Sequence, residues 1–186
     1  MPKEPASSPW NLPNMLSLSR VFLVPVILVF LTLRTQFGYV AGLCIGDLIA
    51  GIVFIIASLT DAVDGYIARK KNLVTNMGKF IDPLADKILV IAVLTTLVEM
   101  HRFPAWMVVV IISREFIVSG LRMVAASEGV VIAASKGGKL KTVTQIIGII
   151  MLLFDIPYAM PVMWVAVILT VWSGVEYVVN GSDLLA

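Results

Sequence analysis

The chain has 186 residues, of which 59% are hydrophobic and 14% are charged, and its formal net charge is +2. A soluble domain has about 25% charged residues, so this composition predicts an integral membrane protein and excludes a separate soluble catalytic domain. The small net charge argues against nucleic acid as a partner. The chain has one cysteine, Cys44, and therefore forms no internal disulfide. Its one histidine, His101, cannot build a zinc or haem site alone. A bound metal would therefore have oxygen ligands.

Taken in chain order, six apolar segments predict an all-α bundle of six transmembrane helices. Residues 156–175 have no charged side chain over the length that a spanning helix needs. The other segments reach that length only when a few charged residues are included, which makes those charges candidates for function. The predicted spans are residues 13–35, 40–68, 80–98, 104–126, 140–154 and 159–179.

Short connections join these spans, so we expect a single membrane domain over residues 1–186. Turn-forming residues predict chain reversals at Gly38, at Gly42, at the pair Gly137 and Gly138, and at Pro157. Residues 1–10 lack the basic region and cleavage pattern of a signal peptide. We therefore expect a short interfacial segment at the N-terminus, followed by a first span that is retained.

Basic residues are concentrated on one side of the predicted bundle. With an even number of spans, both termini share that side with the connections after the second and fourth spans. Its basic residues are Lys3, Arg69, Lys70, Lys71, Lys79, Lys136, Lys139 and Lys141. The opposite side has only Arg34 and Arg102. Because Lys and Arg accumulate in cytoplasmic loops, we expect the N-terminus and the C-terminus to be inside the cell.

Four aspartates flank the predicted connection between the second and third spans. Asp61 and Asp64 are three positions apart, and Asp82 and Asp86 are four apart, so on helices each pair shares one face. Four carboxylates in a bundle of low dielectric constant would repel one another unless cations neutralised them. Carboxylate oxygens without His or Cys favour Mg²⁺ or Mn²⁺, and these ions favour phosphate-bearing substrates. The pattern predicts a two-metal site that acts on a phosphoryl group.

The residues around these aspartates fit the same interpretation. Gly65 and Gly78 lack a side chain, which allows a nucleotide or another backbone to approach closely, and Arg69 can pair with a phosphate or a carboxylate. The alternative is that the aspartates only solvate helix ends, balanced by neighbouring lysines. Four aspartates at helical spacing, together with both glycines and the arginine, favour the metal site.

The complete string from Asp61 to Asp86 is D-x-x-D-G-x-x-A-R-(x)8-G-x-x-x-D-x-x-x-D. It resembles the signature of the CDP-alcohol phosphatidyltransferases, with eight fixed positions within 26 residues. That resemblance implies a six-helix membrane enzyme, often a homodimer, which displaces CMP from a CDP-linked lipid with an alcohol.

The resemblance also implies a role for each residue of the string. Asp61, Asp64, Asp82 and Asp86 line the metal site, and Asp86 is in addition the expected general base. The residues expected to hold the cytidine diphosphate are Asp61, Gly65, Ala68, Arg69 and Gly78.

Flanking segments narrow the expected alcohol. Residues 11–20, 74–87, 112–122 and 134–142 resemble bacterial members of the family that transfer the phosphatidyl group of CDP-diacylglycerol to sn-glycerol 3-phosphate. This likeness implies a multi-pass protein of the bacterial cytoplasmic membrane with its active site facing the cytoplasm.

A basic stripe gives an independent reason to expect a phosphorylated alcohol. Arg114 and Glu115 follow ten apolar residues from Pro104, so they lie about 15 Å along the fourth helix. Arg122 is eight residues further, near two helical turns, and therefore on the same face. The residues expected to bind the acceptor phosphate are Arg114, Arg122, Lys136, Lys139 and Lys141. The alternative is that these basic residues bind no ligand and only reflect the excess of Lys and Arg on the cytoplasmic side, with lysines that extend to the membrane surface.

Three other functions stay open. A cardiolipin, phosphatidylserine or phosphatidylinositol type of synthase would differ only in the acceptor pocket. A prenyltransferase would also use acidic motifs and Mg²⁺, but usually with more spans and without the Asp-Gly and Ala-Arg pairs. A cation transporter would place carboxylates near the bilayer centre and show inverted repeats. In this sequence the aspartates cluster at one face of the predicted bundle, and no repeat is visible.

Asp47, in the outer half of the second span, is expected to cap a helix or to pair with Arg34.

Overall fold

The structure is a computed structural model that describes the backbone of residues 12–40, 42–71, 76–127 and 136–185. Side chains are described over residues 18–40, 42–60, 87–126 and 137–179, together with Met15, Leu84 and Ala85. Six α-helices dominate it, which confirms the all-α prediction. They are α1 (Leu12–Thr32), α2 (Ile45–Lys71), α3 (Asn76–Glu99), α4 (Ala105–Ser127), α5 (Lys136–Leu153) and α6 (Ala159–Leu185).

The connection between α1 and α2 differs from the prediction. A 3₁₀-helix, Arg34–Phe37, is followed by a hairpin of β1 (Tyr39–Val40) and β2 (Leu43–Cys44), in which Tyr39 pairs with Cys44. The predicted start of the second span at residue 40 is therefore wrong, because those residues form a strand and α2 begins at Ile45. Gly38 and Gly42 have φ angles of 78° and 84°, which confirms both as turn residues.

The turn expected at Gly137 and Gly138 is wrong, in contrast to those at Gly38 and Gly42. Gly137 and Gly138 lie inside α5, in the first turn after Lys136. Glycine disfavours a helix by only about 1 kcal/mol, and packing of α5 against α6 overrides that local preference. Pro157, in contrast, lies in the connection between α5 and α6 as predicted.

The chain forms two compact units, Met1–Thr96 and Leu97–Ala186. In the first unit, α1 packs along α2, and Ile27, Leu31 and Phe54 are fully or almost fully buried. Asp47 is 2% exposed and pairs with Arg34 at 3.4 Å between Oδ2 and Nη1. Of the two roles expected for Asp47, the ion pair with Arg34 is therefore confirmed. This ion pair links the start of α2 to the segment that follows α1.

In the second unit, α6 packs against both α5 and α4. Its buried core contains Met107 and Ile111 from α4, Ile149 from α5 and Met163 from α6. Gly148 allows the close contact of α5 with α6, because a Cβ atom there would lie 2.4 Å from the sulfur of Met163. The packing places one face of α4 and one face of α5 against α6.

The outer faces of α4 and α6 are rich in exposed apolar side chains, including Val109, Phe116, Val165, Ile168 and Trp172. Within the described residues, one helical segment, Ala159–Val179, is long and apolar enough to cross a membrane, while Leu18–Thr32 and Ile45–Thr60 are apolar but shorter. The helix count agrees with the prediction, whereas six spans and their orientation stay predictions.

Candidate active site

The aspartates of the signature lie in two helices that are consecutive along the chain. Asp61 and Asp64 belong to the second half of α2, and Asp82 and Asp86 to the first half of α3. Because both stretches are continuous helix, the members of each pair lie one turn apart on the same face. The expected helical spacing of each carboxylate pair is therefore present in the backbone.

The other signature residues occupy the same two helices: Gly65, Ala68 and Arg69 lie in α2, and Gly78 lies in the first turn of α3. The side chains of all these residues and of the four aspartates lie outside the described set. Among the side chains that are described, no group of three or more His, Cys, Asp or Glu comes together. An all-carboxylate donor set on α2 and α3 fits a hard divalent cation such as Mg²⁺ or Mn²⁺.

A second group of polar residues lies inside the second unit, among apolar side chains. We call it the α4–α6 polar cluster; its members are Arg114, Glu115 and Arg122 of α4, Lys141 of α5, and Ser173 and Tyr177 of α6. It contains three of the five residues predicted to bind the acceptor phosphate.

Glu115 joins two cations of the cluster. Its Oε1 atom accepts a hydrogen bond from Arg114 Nη1 at 3.2 Å and another from Lys141 Nζ. Lys141 is 4% exposed, and a buried ammonium group requires a charged partner. Glu115 therefore holds α4 and α5 together through a charge-assisted contact.

The two arginines are held from the other side by α6. Arg114 Nη2 donates to Ser173 Oγ at 3.0 Å, and Arg122 Nη2 donates to Tyr177 Oη at 2.5 Å. The same tyrosine ring lies close to both guanidinium groups, with its centroid 5.7 Å from Arg114 Cζ and 5.1 Å from Arg122 Cζ. These contacts confirm that Arg114 and Arg122 share one face of α4.

The cluster has an excess of positive charge. Among its described members, Arg114 and Lys141 contact one carboxylate, Glu115, and Arg122 lies beside Tyr177, so these four charged side chains have a formal charge of +2. In addition, Arg114 Nε is buried and donates to no group that the structure describes. An unused buried donor is costly unless a ligand or water satisfies it. The arrangement suits a dianion.

The remaining predicted acceptor residues lie elsewhere on α5. Lys139 is exposed, and the side chain of Lys136, the first residue of α5, lies outside the described set. Ser173 and Tyr177 were missed by sequence reasoning, although two polar residues four positions apart in an apolar helix are a signal of one polar face.

Comparison with known proteins agrees with the signature. Residues 10–172 match the CDP-alcohol phosphatidyltransferase family. The chain is 49% identical to a Bacillus subtilis protein named CDP-diacylglycerol–glycerol-3-phosphate 3-phosphatidyltransferase, with 90% of this chain and 93% of that protein covered. Proteins of the same name from Rickettsia typhi and Haemophilus influenzae are each 36% identical, and the matches cover 90% and 94% of this chain and 94% and 96% of theirs. The chain therefore belongs to the CDP-alcohol phosphatidyltransferase family.

Proposed function

We propose that this chain transfers the phosphatidyl group of CDP-diacylglycerol to sn-glycerol 3-phosphate, forming phosphatidylglycerophosphate and releasing CMP. The observation that carries the choice of acceptor is the α4–α6 polar cluster, whose excess charge of +2 matches a phosphate dianion. The names of the similar proteins support the same substrates. Residues 1–186 act as one membrane domain in this proposal.

The donor is bound by the signature residues on α2 and α3. Asp61, Asp64, Asp82 and Asp86 would hold the divalent metal that the family uses, with Mg²⁺ or Mn²⁺ preferred by an oxygen-only donor set. When bound, the metal supplies charge stabilisation at the phosphoryl oxygens. Asp61, Gly65, Ala68, Arg69 and Gly78 hold the cytidine diphosphate.

The reaction is a direct displacement. Asp86 accepts the proton of the 1-hydroxyl of glycerol 3-phosphate. A bond then forms between that oxygen and the lipid-side phosphorus of CDP-diacylglycerol, while the bond from this phosphorus to the oxygen of CMP breaks. The alcohol gains the phosphatidyl group and CMP leaves as the anion.

The α4–α6 polar cluster binds the phosphate of the alcohol. Arg114 and Arg122 offer planar donor forks, and Lys141 offers a compact charge. Lys136 and Lys139 at the start of α5 complete the predicted set. Binding the dianion in apolar surroundings positions the hydroxyl for attack and gives no comparable gain to an uncharged alcohol.

The membrane placement follows from composition and surface. The exposed apolar faces of α4 and α6 suit lipid, because a soluble protein rarely exposes such continuous apolar surface. We infer six spans, both termini in the cytoplasm, an active site open to the cytoplasm of a bacterial cell, and a homodimer. The acyl chains of the donor then stay in the bilayer while the alcohol arrives from water. Membership of a transferase family leaves the cation-transporter alternative without support.

The test uses purified protein in mixed micelles with radiolabelled CDP-diacylglycerol and Mg²⁺ or Mn²⁺. The acceptors are glycerol 3-phosphate, glycerol, inositol, serine and phosphatidylglycerol. We expect lipid product only with glycerol 3-phosphate.

Arg114→Ala should raise the Michaelis constant for glycerol 3-phosphate roughly ten- to a hundredfold, because a charge-assisted hydrogen bond contributes about 1.5–3 kcal/mol. The Michaelis constant for CDP-diacylglycerol should change much less. Equal use of inositol or glycerol by the unmodified protein would refute the acceptor assignment.

A further inference from the structure

We propose that Ser173, Gly174 and Tyr177 of α6 position Arg114 and Arg122, and that this positioning sets the preference for a phosphorylated alcohol. We call these three residues the α6 seat. They are positioning residues, because they act on the acceptor through the arginines. The proposal rests on the proposed function and deepens it.

Ser173 holds Arg114 in one orientation. The serine is fully buried, and its hydroxyl donates to the backbone oxygen of Thr170 at 3.3 Å. With its proton used in that bond, Oγ presents lone pairs, and Arg114 Nη2 donates to it at 3.0 Å. Ser173 therefore acts as a fixed acceptor, which matters because a guanidinium group needs acceptors in fixed directions.

Gly174 lets the stem of Arg114 lie against the backbone of α6. A Cβ atom at this position would lie 3.0 Å from Arg114 Cγ, closer than an ordinary van der Waals contact. An added Cβ atom would require the stem of Arg114 to shift by a few tenths of an ångström. The absence of a side chain here thus serves the position of Arg114.

Tyr177 holds both arginines at once. The tyrosine is 4% exposed, its hydroxyl accepts from Arg122 Nη2, and its ring centroid lies within 6 Å of both guanidinium carbons. Two like charges kept close together repel each other. The negative face of the aromatic ring offsets part of that repulsion, as Glu115 does beside Arg114.

The consequence is a cationic site that is organised before the acceptor arrives. Without the seat, Arg114 keeps its hydrogen bond to Glu115, but Arg122 loses its contacts with Tyr177. Binding of a phosphate would then have to bring the two cations together at an entropic cost. The loss should therefore appear in acceptor binding. An unphosphorylated alcohol has no group that uses the two cations, so the seat favours the phosphorylated one.

The experiment measures steady-state transfer from CDP-diacylglycerol to glycerol 3-phosphate by Tyr177→Phe, Tyr177→Leu and Ser173→Ala. Tyr177→Phe keeps the ring, loses the hydroxyl and should raise the Michaelis constant for glycerol 3-phosphate roughly three- to tenfold; Tyr177→Leu also loses the ring and should raise it further. The maximal rate and the constant for CDP-diacylglycerol should stay within about twofold of the unmodified protein.

Two matched controls separate positioning from folding. Thr170→Val removes another buried hydroxyl from α6, whose one partner among the described residues is the backbone oxygen of Ala166 in the same helix. Tyr158→Phe removes the hydroxyl of an exposed tyrosine outside the cluster. Both should keep the acceptor constant of the unmodified protein. Direct titration of each purified variant with glycerol 3-phosphate, in the absence of CDP-diacylglycerol, gives the same comparison without turnover.

Unchanged acceptor constants and acceptor affinity in Tyr177→Phe and Ser173→Ala would overturn the inference while leaving the proposed function intact. An equal rise in both substrate constants, or an equal effect of Thr170→Val, would also overturn it, because that outcome shows a structural role alone. Failure of the unmodified protein to use glycerol 3-phosphate would instead refute the proposed function itself. Should Tyr177→Leu not fold, the other two variants still decide the question.

Discussion

At the scale of single residues, we propose that Asp61, Asp64, Asp82 and Asp86 carry the chemistry. We expect each Asp→Asn variant to abolish transfer, because an oxygen-only site that loses a carboxylate binds its metal less tightly or lacks its base. Asp86→Asn should differ by retaining Mn²⁺ and CDP-diacylglycerol binding if its main role is to accept the proton. The measurements are turnover and Mn²⁺ titration of purified, folded protein. Turnover of a variant at the unmodified rate would remove that residue from the site.

At the scale of elements, alanine substitutions at Gly46 and Gly148 test the packing of the helices. A Cβ atom at Gly46, in α2, would lie 2.5 Å from the backbone oxygen of Phe30 in α1, whereas one at Gly148 would meet the flexible side chain of Met163. We expect Gly46→Ala to lower the thermal midpoint of the purified protein clearly and Gly148→Ala to lower it less, because a side chain can move aside and a helix backbone cannot. An equal loss in both variants would contradict this account of the α1 and α2 contact.

Membrane topology is the property of the whole molecule that the positive-inside pattern predicts. After Cys44→Ser removes the background thiol, Asn72→Cys in the α2 to α3 connection should react with a membrane-impermeant thiol reagent only once the inner side is opened. Gln36→Cys, at an exposed position of the 3₁₀-helix, should react from outside in intact cells. The reverse pattern of labelling would refute the cytoplasmic placement of the active site.

Much of the proposed site could be inferred from the amino-acid sequence by itself. The order and types of residues from Asp61 to Asp86 were enough to indicate the family, because helical periodicity fixes which neighbours within about one turn share a face. The same local rule correctly predicted that Arg114 and Arg122 lie together on α4. It was less reliable at helix ends, where the hairpin at residues 39–44 and the glycines of α5 depend on packing as well as propensity.

Only the tertiary structure decided which distant residues complete the proposed acceptor site. Arg114 meets Ser173 across 59 positions, Arg122 meets Tyr177 across 55, and Lys141 meets Glu115 across 26. No local propensity encodes such pairs, since they depend on which face of α6 packs against α4 and on how α5 packs beside it. The sequence alone therefore determined the cations and the chemistry they favour, whereas helix packing determined the serine, glycine and tyrosine that hold them.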